Sequence, residues 1–163
     1  MLLALILAAA IAVTPDTIVW KDGPPTLPKG SKIAILEGDP KAEGIFTMRV
    51  RVPAGASLAP HWHPRDERVT ILSGAVELGF GTTPDKAKTQ RYGAGSFYVN
   101  PPRVLHYLYF PEETVMQMTG VGPWEIVHRA KSRGHVSSNA ATAHSMCRSP
   151  TRTSPRRSSC PRR

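Results

Sequence analysis

Residues 45–52, IFTMRVRV, alternate without a fault: Phe46, Met48, Val50 and Val52 fall on one side, Thr47, Arg49 and Arg51 on the other. Successive side chains of an extended chain point to opposite faces, so this is the pattern of a strand with one face buried. The same character continues in short runs. RVTIL (68–72) and AVELGF (75–80) flank Ser73-Gly74, which predicts a hairpin turn, with Val76, Leu78 and Phe80 on one face. SFYV, VLHYLYF, TVMQMT and EIVH follow, separated by Pro and Gly. No run in this body holds a helical period over ten or more residues. Many short strands, with 16 Pro and 13 Gly to turn the chain, predict an all-β fold of the sandwich or barrel kind.

A chain of 163 residues with 40% hydrophobic content suits one domain with a single core. The formal charge of +9 invites a nucleic-acid reading, but its distribution argues against one. Residues 131–163 hold eight of the 21 Lys/Arg and no Asp or Glu, which leaves 13 Lys/Arg against 12 Asp/Glu, or +1, for residues 1–130. The body is nearly neutral, and no specific nucleic-acid partner is expected. The last stretch, rich in Ser, Thr, Arg and Pro, has too little to bury and is expected to be a disordered basic tail. Such a tail serves either as an anion-binding arm or as an extension without a function; the abrupt change of composition after EIVHRA favours the second. At the other end, MLLALILAAAIAV is too short to span a bilayer, which takes about 20 apolar residues. It fits the apolar core of a signal peptide over residues 1–12, with Ala10-Ile11-Ala12 as the cleavage site, although no Lys or Arg precedes it. The expectation is a periplasmic or secreted protein with no stable membrane anchor once the signal is removed. Residues 13–32, dense in Pro and Gly, read as an extended arm, and residues 33–130 as the β domain. Both cysteines, Cys147 and Cys160, lie in the tail, so the body has neither a disulfide nor a thiolate metal site.

The chemistry concentrates in APHWHPRDERVTILSG, residues 59–74. In a strand, His61 and His63 project from the same face about 7 Å apart, which lets two imidazoles converge on one ion. Trp62 and Pro64 point the other way. Glu67, past the kink at Pro64-Arg65-Asp66, can bring its carboxylate to the same point, whereas alternation sends Asp66 away. Either histidine alone would be an ordinary surface residue, and His106 alone a core residue in an apolar strand. Their joint spacing makes them candidates for a metal site. His128, His135 and His144 have no such pattern around them, and Met48, Met116 and Met118 read as packing. Gln117 alternates with Met116 and Met118, and would support a ligand if it faced the lumen.

Written with its glycines, the stretch from Gly55 to Gly74 is G-x5-H-x-H-x3-E-x6-G, and GSFYVNPPRVLH (95–106) is G-x5-P-x-R-x2-H. In order and spacing the two resemble the signature motifs of the cupin superfamily, across about residues 33–128. LEGDP, DERVTILSG and GVGPWEI look most like small single-domain bacterial cupins. The resemblance implies a single jelly-roll β-barrel with the ion inside it. The implied ligands are His61, His63 and Glu67 from the first motif and His106 from the second. Two positions depart from the pattern: Arg103 stands where a glycine usually precedes the histidine by three, and Phe110 where an asparagine often follows it by four. The implied cofactor is one divalent transition metal ion (Fe, Mn, Zn, Ni or Cu), since three imidazoles and a carboxylate suit all of them. A metal-dependent enzyme of oxygenase, isomerase or lyase type on a small polar molecule is the leading expectation. The alternatives are a non-catalytic module for metal or a small ligand, and a structural protein with a vestigial site. No general acid or base is legible, since Tyr107 and Tyr109 alternate away from His106. The partner is a small-molecule ligand, and a homodimer stays open.

Overall fold

The computed structural model of the chain describes residues 10–128. The tail expected over 131–163 and most of the expected signal peptide lie outside the described residues. Eleven strands follow in chain order: β1 (Lys21–Asp22), β2 (Lys32–Glu37), β3 (Gly44–Val52), β4 (Ser57–Trp62), β5 (Glu67–Ser73), β6 (Ala75–Phe80), β7 (Gln90–Gly93), β8 (Phe97–Asn100), β9 (His106–Tyr109), β10 (Thr114–Gly122) and β11 (Val127–His128). The helices among the described residues are two single 3-10 turns, Pro15–Thr17 and Lys86–Lys88. Segment 13–32 contains the first of these turns and β1, which pairs with the start of β2.

Two antiparallel sheets face each other as a jelly-roll sandwich, in the orders β1-β2-β3-β10-β5-β8 and β11-β4-β9-β6-β7. The all-β expectation holds, and the alternation read in β3 is the alternation found. Phe46, Met48, Val50 and Val52 are buried in the core, while Thr47, Arg49 and Arg51 line the outer face. From the same sheet come Val69, Ile71, Met116 and Met118, and from the other Leu58, Val76, Leu78 and Leu108. With Met116 and Met118 inside, Gln117 must point out: its Oε1 accepts from Arg49 Nε at 3.1 Å on the outer face, so it is no neighbour of the candidate ligands. Phe80 shares the phase of Val76 and Leu78 but ends its strand 53% exposed.

Ser73-Gly74 is a crossing between sheets and not the expected hairpin. β5 pairs with β10 and β8, whereas β6 pairs with β9 and β7. Gly74 makes the corner at φ +72, and a Cβ there would overlap the Glu113 carbonyl oxygen. Fully buried Thr114 clamps the step. Its hydroxyl accepts from Ala75 N at 3.2 Å and has the carbonyls of Ala75 (2.8 Å) and Glu112 (2.9 Å) as acceptors for its one proton. Sequence shows that a turn occurs here. Which strand each arm then joins depends on partners 12 (Leu78 to Gln90) to 51 (Arg68 to Thr119) residues away.

Candidate metal centre

His61 stands at the end of β4 with His63 just past it, Glu67 opens β5, Asn100 closes β8 and His106 opens β9. Antiparallel pairing brings these strand ends to one end of the sandwich. His61 is opposite His106 in one sheet, and Glu67 is opposite Asn100 in the other. All five are buried, none more than 6% exposed. Within the second motif, Arg103 adopts φ 62, the left-handed conformation that a glycine would favour. Its backbone N donates to the His63 carbonyl at 2.8 Å, tying the two motifs together. Phe110 packs in the core, and its backbone bonds Gly55 and Ala56.

The structure brings three of the four predicted residues, His61, His63 and His106, into one group, and Glu67 lies beside two of them. The ring centroids of His61 and His106 are 4.2 Å apart, and His63 lies 5.1 Å from each. One nitrogen from each ring lies within 4.8 Å of the others. Glu67 Oε2 is 3.3 Å from His63 Nε2 and 3.8 Å from His106 Nε2. Two donors about 2.1 Å from one ion at right angles are about 3 Å apart, close to the two separations of Glu67 Oε2.

Tautomers follow from the partners. Each Nδ1 faces a backbone carbonyl, which can only accept: Ala59 for His61 (2.8 Å), Glu125 for His63 (2.8 Å) and Val104 for His106 (3.0 Å). Each Nδ1 therefore carries a proton, which leaves Nε2 as the atom that each ring turns toward the others. His63 Nε2 is buried without a hydrogen-bond partner. With the proton on Nδ1, that nitrogen and Glu67 Oε2 are two acceptors face to face, an arrangement that calls for a cation. Burial, helped by the neighbouring His106, pushes His61 down to about 3, and burial also lowers His106. Burial would raise Glu67, but the neighbouring His63, His106 and Asn100 outweigh it and hold the carboxyl below its ordinary range. With the ring protons on Nδ1, the group offers three Nε2 lone pairs and one carboxylate. Such a donor set fits a divalent transition metal ion.

Three neighbours were not legible as site residues. Asn100 Nδ2 donates to Glu67 Oε2 at 2.7 Å. Trp124 stacks on His63, with centroids 4.4 Å apart and planes at 17°. His128 lies beside His61 in register and is held by Thr26 O at 2.9 Å. Only Asn100 left a trace in the sequence, since alternation with Tyr98 places it on the inner face. Trp124 also lines a cavity of about 420 Å³, with Leu27, Ile33, Met48, Val50 and Met118 among others and with Asp22, Lys41 and Glu125 contributing; none of the four candidate ligands lines it. Its size and largely apolar lining are those of a small-molecule pocket.

A two-sheet jelly roll with this histidine and glutamate group at one end defines a cupin. The family model described as the ChrR cupin-like domain matches residues 8–125, and the chain belongs to that family. Among curated proteins, germin-like protein 3-1 of rice (Oryza sativa subsp. japonica) is 38% identical over 69 residues, 42% of this chain and 31% of the relative. Germin-like protein 1-1 of rice is 32% identical over 85 residues, 52% of this chain and 36% of the relative. The chain thus spans about a third of the length of these relatives. Among solved structures, the polyketide cyclase RemF from Streptomyces resistomycificus superposes with a TM-score of 0.63 at 17% identity, covering 77% of this chain and 89% of that one. A putative acetylacetone dioxygenase from Methylibium petroleiphilum gives 0.58 at 23% identity, covering 78% and 85%. At these identities the likeness is one of fold.

Proposed function

We propose that the protein is a metal-dependent enzyme of oxygenase, isomerase or lyase type acting on a small molecule, with His61, His63, Glu67 and His106 as the protein ligands of one divalent transition metal ion. The observation that carries this reading is the set of three Nδ1–H groups pinned to backbone carbonyls, which leaves three Nε2 lone pairs and a carboxylate converging. When bound, the ion supplies Lewis acidity and open positions for a chelating substrate or for oxygen. The chain's own part is to hold the imidazoles oriented, to keep water out by burial, and to accommodate the substrate's body. The cavity beside Trp124 supports a substrate with a polar reacting end and an apolar body. The neighbours whose names give an activity, a polyketide cyclase and an acetylacetone dioxygenase, lend support at the level of fold.

The burial of all four donors favours a second reading, a non-catalytic module that holds a metal or a small ligand. One experiment separates the two. The purified protein is loaded with Fe(II), Mn(II), Zn(II), Ni(II) or Cu(II), then assayed for oxygen uptake and product formation with a panel of 1,3-dicarbonyl and aromatic polyketide-like compounds. Turnover that disappears in Glu67→Gln supports the enzyme; one bound ion per chain with no turnover across the panel supports the module. We also propose export to the periplasm or beyond, from the apolar start. Amino-terminal sequencing of the mature protein tests it: a start at Val13 supports export, an intact Met1 refutes it.

A further inference from the structure

Asn100 is wholly buried at the end of β8, opposite Glu67 in register. Its Nδ2 lies 2.7 Å from Glu67 Oε2 and 3.1 Å from His106 Nε2. His106 Nδ1 donates to Val104 O, so His106 Nε2 is an acceptor. The two protons of one NH2 group are thus placed on two atoms that the candidate site offers to an ion. Asn100 Oδ1 is buried with no partner, which leaves the amide turned with its donor end toward the site. The reverse orientation would set a carbonyl oxygen against a carboxylate and a ring lone pair, with no proton to bridge either contact.

We propose that Asn100 is a positioning residue for the metal centre: it aims the Glu67 carboxylate and, in the metal-free site, occupies the His106 lone pair that an ion takes on binding. The proposal rests on the reading of His61, His63, Glu67 and His106 as ligands. Metal entry then exchanges one hydrogen bond and keeps the other. The N–H facing His106 loses its acceptor as Nε2 turns to the ion, while the N–H on Glu67 Oε2 stays, because a coordinated carboxylate oxygen retains a lone pair for it. Groups that orient a ligand from outside in this way typically carry 10–100-fold of metal affinity. The residue lies inside the second motif, directly before Pro101, where neither its residue type nor its spacing marks it as part of the site.

The chain has only two asparagines, Asn100 and Asn139, so selective labelling of asparagine with nitrogen-15 yields two side-chain amide pairs. The Asn100 pair is identified by its absence in Asn100→Leu. Zinc is the probe, added to the full chain. The expected result is that one proton of the Asn100 pair moves upfield on saturation while its partner stays downfield. In competition with a chromogenic chelator, Asn100→Leu should bind zinc about 10–100-fold more weakly than wild type. A pair that does not move at saturation overturns the proposal, and so does wild-type zinc affinity in Asn100→Leu. Upfield movement of both protons also overturns it, since Asn100 would then have turned its oxygen to the ion as a ligand. If the wild-type chain binds no zinc or other divalent ion, the metal centre itself fails, an outcome distinct from the other three. If Asn100→Leu fails to fold, the pair is assigned instead as the one that remains in Asn139→Ser, so the wild-type readout does not depend on that variant.

Discussion

Replacing Arg103 with glycine should stabilise the protein, even though it deletes a charged side chain beside the site. Arg103 is the one non-glycine among the described residues with a positive φ, at 62°. A left-handed conformation costs a residue with a Cβ about 1–2 kcal/mol, and glycine almost nothing. Against this, glycine gives the unfolded chain more freedom, worth about 0.4–1 kcal/mol. The Arg103 side chain is exposed and makes no hydrogen bond or ion pair among the described residues, so nothing else is lost. The contact that matters, Arg103 N to His63 O at 2.8 Å, belongs to the backbone and survives the change. The net expectation is a gain of about 0.5–1 kcal/mol, or about 2–5 °C in melting temperature for a domain of this size. Thermal and urea melts of the metal-free chain read the gain directly. Arg103→Ala is the control, because alanine bears the same conformational cost and should melt with the wild type. If Arg103→Gly melts at or below wild type, the turn is not strained. If Arg103→Ala gains as much as Arg103→Gly, the effect came from the charge and the backbone argument is wrong.

Gly74→Ala should destabilise by about 3 kcal/mol or more, combining the left-handed cost with overlap on the Glu113 carbonyl, and a melt within a degree of wild type would contradict the corner geometry. His106→Ala and His63→Ala should lose bound metal to a similar degree in elemental analysis of purified protein; retention in one but not the other would mean that the two motifs do not share a centre. Acid should unfold the metal-free chain earlier than an ordinary histidine content would suggest. His61 is held at about 3 when folded, mainly by burial, and returns to its ordinary range near 6.5 when unfolded. The unfolded state therefore binds the extra proton between those values, and stability that is complete above about pH 6.5 falls steadily as pH drops toward 3. Urea midpoints of wild type and His61→Phe across that window should converge at low pH, and parallel curves would refute the assignment.

The parts of the fold that sequence made legible are those set by period alone. Phe46, Met48, Val50 and Val52 all went inside because a strand with one dry face leaves no other arrangement. The same rule already contained the answer for Gln117: once Met116 and Met118 pack in the core, the residue between them faces out. Ser73-Gly74 was beyond local reading. A glycine at positive φ serves a hairpin and a corner equally well, and the choice lies with β9, β7, β10 and β8, which are far away in the chain. Phe80 shows the limit of phase, which assigns a face but not depth. It shares its side with Leu78, yet it sits where β6 ends beside His106 and meets solvent.

The site divides along the same line. His61 and His63 were legible because a two-residue spacing on a strand is also a ligand spacing, and Glu67 and His106 because their distances along the chain repeat a known pattern. Asn100 was not, because its importance comes from register and not from spacing. Only the pairing of β5 with β8 sets it opposite Glu67, and only the Val104 carbonyl, by fixing the His106 tautomer, makes the second contact a hydrogen bond. Arg103 was legible only as a departure from the pattern. Its side chain argues against the left-handed turn that its backbone adopts, and the turn is kept because its N–H holds the first motif's His63 carbonyl. Strain of this kind persists only where the surroundings over-determine it. Here the surroundings are two buried histidines, His63 and His106, whose approach to one point requires the chain between Pro101 and His106 to bend that sharply.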